Sequence, residues 1–143
     1  MNGKLFLALA ITAVCAAVIA GLVIVGGPSQ GQRDQFDSQR YEELEKLARA
    51  LLCKHGPHFP GNSLPRELTI ESLRVHCSSA GIDADDLTDD ETAEPYSYQR
   101  RDDHDFSICA NFHDTERTLR LNNQEWYEGS FNSKTGCVSG WYR

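Results

Sequence analysis

The sequence predicts an α+β protein in which an N-terminal transmembrane helix is followed by an amphipathic helix packed on a small antiparallel β-sheet. Three observations lead there. An uncharged apolar run fills residues 5–25, apolar residues then recur at helical spacing as far as residue 52, and after Pro95 the pattern changes to strict alternation.

The apolar run reads "LFLALAITAVCAAVIAGLVIV", with Leu5 and Val25 as its ends and Thr12 its one hydroxyl. At about 1.5 Å per residue it makes roughly 31 Å of helix, enough for a hydrocarbon core of about 30 Å. A cleaved signal peptide and a lipoprotein signal at Cys15 compete with this reading. The run exceeds the roughly 7–15 residues of a cleavable apolar core, and Val14 stands where a lipoprotein signal wants a small residue. Lys4 precedes the run and the next basic residue is Arg33, so the N-terminus is expected in the cytoplasm and the remainder across the membrane. The expectation is a single-pass inner-membrane protein whose partner is the lipid bilayer, with a periplasmic or extracellular domain. Residues 1–26 are the anchor, 27–32 ("GPSQGQ") a linker and 33–143 the domain.

The chain has 143 residues, 14 Lys and Arg against 21 Asp and Glu, and a formal charge of −7. All the acids lie beyond residue 26, which argues against nucleic acid or anionic lipid as the domain's partner. Export places Cys53, Cys77, Cys109 and Cys137 in oxidising surroundings, where disulfides persist. Four cysteines allow three pairings. The pairing that links neighbouring elements joins Cys53 to Cys77 and Cys109 to Cys137. Zinc is the rival explanation, but no C-x-x-C or C-x-x-H spacing occurs.

Phe36, Arg40, Leu44, Leu47, Ala48, Leu51 and Leu52 form one helical stripe, and Gly56 and Pro57 end that helix with Lys54 and His55 in its last turn. A second helix is expected over residues 69–79, capped by Thr69 and stopped by Gly81. The acidic "IDADDLTDDETAE" shows no apolar period and reads as a loop. Tyr96 and Tyr98, then Phe106, Ile108, Ala110 and Phe112, alternate on either side of "RRDDHD" as a β-hairpin with one apolar face. "TLRL" and the segment ending in "GCVSGWYR" supply one or two further strands.

Asp83, Asp85, Asp89, Glu91 and Glu94 occupy positions 1, 3, 7, 9 and 12 of an EF-hand count. Leu87 and Thr88 stand where that loop needs an oxygen ligand and a glycine, so a looser oxygen cage for calcium is weighed against a solvated acidic loop. No other cofactor is expected. Asp102, Asp103, His104, Asp105, His113 and Asp114 would be the material for carboxylate catalysis, but a hairpin turn favours Asp for its local hydrogen bonds. His55 and His58 at a helix end, and Trp126 within the sheet, are read as structural, while Trp141 and Tyr142 are balanced between packing and a partner surface.

The order of motifs resembles a group of small uncharacterised bacterial membrane proteins with an exported part like that of type IV pilins and pseudopilins. There the helix opens with Arg, Asp and Arg, carried here by Arg33, Asp34 or Asp37, and Arg40. A Leu-Pro follows at Leu64 and Pro65, then an Asp-Pro-x-Thr-Gly-x-Pro-Tyr-x-Tyr segment met by Asp89, Thr92, Pro95, Tyr96 and Tyr98, with Asp90 for Pro and Ala93 for Gly. Ile108, Cys109, Ala110, Asn111 and Phe112 match a Leu-Cys-Ala-Thr-Phe, and Gly136 and Cys137 echo a final Gly-x-x-Cys. The resemblance implies a pilin-like roll with Cys109 bonded to Cys137. It further implies a non-enzymatic, membrane-anchored envelope protein, a structural or interaction subunit of a membrane-associated assembly that binds a protein partner or itself. The alternatives are a minor pseudopilin of a type II secretion or type IV pilus-like system, and a small calcium-dependent envelope binding domain or enzyme.

Overall fold

The computed structural model describes residues 3–25, 27–53, 63–77, 79–122 and 129–141, with the backbone alone for residues 4, 5, 22, 24, 25 and 28. Lys54, His55, Gly56, Pro57, His58, Trp126 and Tyr142 lie outside the described residues. The chain divides into two compact units, Met1–Arg33 and Asp34–Arg143.

Helix α1, Gly3–Val25, belongs to the first unit. Every side chain described in it is exposed, Phe6 and Val23 by 64% and 76%. Thr12 turns its hydroxyl back onto the Ala8 carbonyl at 2.9 Å, so that hydroxyl is satisfied within the helix. Among the described residues, no helix is long and apolar enough to cross a membrane. That finding corrects the membrane-spanning helix between Leu5 and Val25. The signal-anchor reading, the lipid bilayer as partner, the inner-membrane location with its cytoplasmic N-terminus and periplasmic domain, and the membrane-anchored assembly subunit or pseudopilin all rested on that helix and fall with it.

Helix α2, Gly27–Leu51, begins earlier than its apolar stripe, so residues 27–32, expected as a linker, are helical. Within the second unit it buries Tyr41, Leu44, Leu47, Ala48 and Leu51, each 2% exposed or less. Helix α3, Ile70–His76, is shorter than expected. Thr69 accepts the Ser72 N–H while the Ser72 hydroxyl accepts the Thr69 N–H, a capping box with serine in place of the usual Glu or Gln.

Four antiparallel strands, β1 (Ser97–Arg100), β2 (Asp105–Cys109), β3 (Ser130–Asn132) and β4 (Cys137–Trp141), form one sheet in the order β1-β2-β4-β3. The alternation of β2 puts Phe106 and Ile108 on the face toward α2, opposite Gly140 and Val138. Gly140 is required there, since a Cβ would stand 2.6 Å from the Phe106 ring. On the other face Cys109 lies directly across from Cys137 and is bonded to it. The second disulfide, Cys53 to Cys77, ties the residues that follow α2 to the end of α3. Tyr41 and Phe112 close the core's flank by edge-on contacts to Phe131, with ring centroids 5.2 and 5.4 Å away.

"TLRL" is helical, which corrects the strand expected there. Helix α4, Thr115–Asn122, starts where the Asp114 carboxylate accepts the Arg117 N–H at 2.9 Å. It buries Thr118 and leaves Leu121 exposed. The fold is therefore an α+β domain of helices and a four-stranded antiparallel sheet, with no helix among the described residues to serve as the spanning helix of the predicted pilin-like roll.

Candidate functional site

The stripe of α2 is not wholly apolar. Arg40 lies in it, 3% exposed, one turn from Asp37, 2% exposed. A charge buried this deeply requires partners, because its desolvation otherwise costs several kcal/mol, on the order seen for unpaired buried ions. The acidic loop supplies them. Arg40 Nε and Nη2 grip the two oxygens of Asp89, Nη1 donates to Asp37 Oδ1 at 2.9 Å, and Nη2 also reaches Glu91. Three carboxylates on one guanidinium leave negative charge in excess, and N–H and O–H donors meet it. Asp37 accepts the backbone N–H groups of His113 and Asp114 at 2.9 and 2.8 Å and faces the Thr118 hydroxyl. Asp89 Oδ1 accepts those of Glu91 and Thr92 at 2.9 and 3.2 Å. The His113 ring nitrogen Nε2 lies 2.8 Å from Glu91.

This arrangement sets the ionisation of its members. Burial works against the charge of both Arg40 and Asp89, but their mutual hydrogen bonds prevail, so the guanidinium is pushed further up and the Asp89 carboxyl is held below the usual range. Glu91 is likewise lowered by its hydrogen bonds from Arg40 and His113.

A second polar group lies along the same helix. The Tyr96 hydroxyl donates to Glu43, which also accepts from Gln39 at 3.1 Å. Burial raises the Glu43 pKa against the effect of those two bonds, and burial together with Glu43 raises that of Tyr96. A groove of about 560 Å3 runs beside it, lined by Ser38, Gln39, Glu42, Glu43, Lys46 and Asp86.

The five loop acids weighed for calcium do not converge. Asp83, Asp85 and Glu94 are exposed, whereas Asp89 and Glu91 turn to Arg40. Among the described residues no group of three or more His, Cys, Asp or Glu side chains is placed to hold a metal ion. Asp102 is spent locally, its Oδ1 accepting the N–H groups of His104 and Asp105, both at 2.7 Å; those bonds hold its pKa below the ordinary value. Asp103 pairs with Arg100. His104 stacks at a tilt on Trp141, which is 59% exposed.

Sequence reasoning did not find the joining of Arg40 and Asp37 to Asp89, Glu91 and His113. The signal was present: a charge in an otherwise apolar stripe needs a counter-charge from another element. Its limit was that several acids could have answered. Comparison with models of protein families, with curated proteins and with solved structures yields no match, so the resemblance to pilin-like membrane proteins is not sustained.

Proposed function

We propose that the domain of residues 34–143 is a non-catalytic, disulfide-locked module and that the charged cluster about Arg40 is its internal fastening, not a reaction centre. The observation that carries this reading is that the cluster is satisfied from within. All three guanidinium nitrogens of Arg40 are engaged by Asp37, Asp89 and Glu91, and Asp37 and Asp89 are further occupied by backbone donors. A general base needs a reachable lone pair and a pKa near the working pH. Asp89 has neither, being buried and held below the usual carboxylate range.

Glu43 is the residue on which the reading is most exposed to test, since its pKa is raised and a groove adjoins it. The experiment is a turnover screen of the full chain against ester, phosphomonoester, glycoside and peptide substrates, beside Glu43→Gln and Asp89→Asn. No turnover above that of the variants is expected. A reaction that Glu43→Gln slows by about 100-fold or more at unchanged fold would contradict the proposal.

A further inference from the structure

We infer that residues 85–94 form a polar strap that lifts from α2 as a unit while the disulfide-locked domain beneath stays folded. The inference rests on how the strap is held and is independent of whether the domain is catalytic. Three residues along α2 grip it: Gln39 holds Asp90, Arg40 holds Asp89 and Glu91, and Lys46 holds Asp86 at 2.6 Å, while Glu43 holds the Tyr96 hydroxyl just beyond it. These ties are polar. Within the strap only Asp89 is buried, and Leu87 alone packs an apolar side chain against the core, partly buried.

The ground on either side is different. Upstream, Ile82 is in the core and Cys77 is bonded to Cys53. Downstream, Tyr96 is in the core and leads into β1. The Glu91 and Thr92 N–H groups are held by the Asp89 carboxylate that Arg40 grips, so freeing that carboxylate from α2 loosens them as well. Lifting therefore breaks ionic and hydrogen-bonded ties to α2, the Glu91–His113 contact and the Tyr96 N–H bond to Leu87, and uncovers little apolar surface. Opening the sheet exposes Phe106, Ile108 and Val138, all fully buried. Segments with few buried apolar contacts open at lower free energy than the core.

Native-state hydrogen exchange on the full, oxidised chain tests this, read at the amides of Glu91 and Thr92 against those of β2 and β4. The strap amides are expected to be protected at least about tenfold less than the sheet amides, with an opening insensitive to low denaturant. Raising NaCl from about 0.1 to about 1 M should speed strap exchange alone, because the shorter Debye length weakens the partly exposed ties. Lys46→Ala and Gln39→Ala should each speed strap exchange about two- to fivefold and leave the sheet unchanged. Strap and sheet amides that exchange together, with the same denaturant dependence, would overturn the inference. So would a variant that speeds both equally.

Discussion

Ala93 carries a φ of 57°, in the left-handed region that costs an L-residue about 1–2 kcal/mol. The turn tolerates this because the Ala93 N–H is held by the Asp89 carbonyl. Ala93→Gly removes the steric cost and adds unfolded-state entropy of about 0.4–1 kcal/mol, so urea denaturation should find it more stable by up to about 1 kcal/mol. Gly140 is the opposite case. Gly140→Ala drives a methyl group into the Phe106 ring and should cost about 1–3 kcal/mol in the same measurement. Arg40 is the most costly single residue to replace. Arg40→Leu leaves Asp37 and Asp89 buried without their cation and should cost about 3–5 kcal/mol.

At the level of elements, local signals were legible where packing agreed with them. The stripe of Leu44, Leu47 and Leu51 marked α2, and the alternation of Phe106 and Ile108 marked β2; both are buried as their periods imply. Two elements departed from their pattern. Leu119 and Leu121 alternate like a strand, but the Asp114 cap and the Thr118 hydroxyl bound to the Asp114 carbonyl commit that segment to α4. Apolarity could not by itself decide what α1 does, because it reports the character of a helix and not its surroundings. The Arg40 cluster was half legible: the helix showed that a charge was misplaced, but only tertiary structure selects Asp89 and Glu91 from so many acids. The disulfide between Cys109 and Cys137 closes a sequence separation of 28 across the β2–β4 pair. By the chain-entropy estimate, replacing both by Ala should cost about 3–4 kcal/mol, read from the unfolding free energy extrapolated to zero denaturant.

For the whole molecule, pH dependence follows from the directions of the shifted groups. Asp89 and Glu91 have folded pKa values below their unfolded ones, so their contribution is complete above about pH 4–5 and is lost as the pH falls through the folded values. Glu43 has the reverse sign: its raised folded pKa makes ionisation unfavourable to folding, so its contribution is lost as the pH rises through the folded value. Burial, opposed by Arg100, pushes Tyr98 up to about 12, against about 10 when unfolded. Stability should therefore decline as the pH rises between those values, and Tyr98→Phe should flatten that limb in denaturant titrations at successive pH. Arg40 fastens the acidic loop to α2 as a structural clamp. Its most direct measurement is a double-mutant cycle of Arg40→Leu and Asp89→Asn by urea denaturation at pH 7. The account predicts a coupling energy of about 2 kcal/mol or more; a coupling near zero, with the two substitutions simply additive, would contradict it.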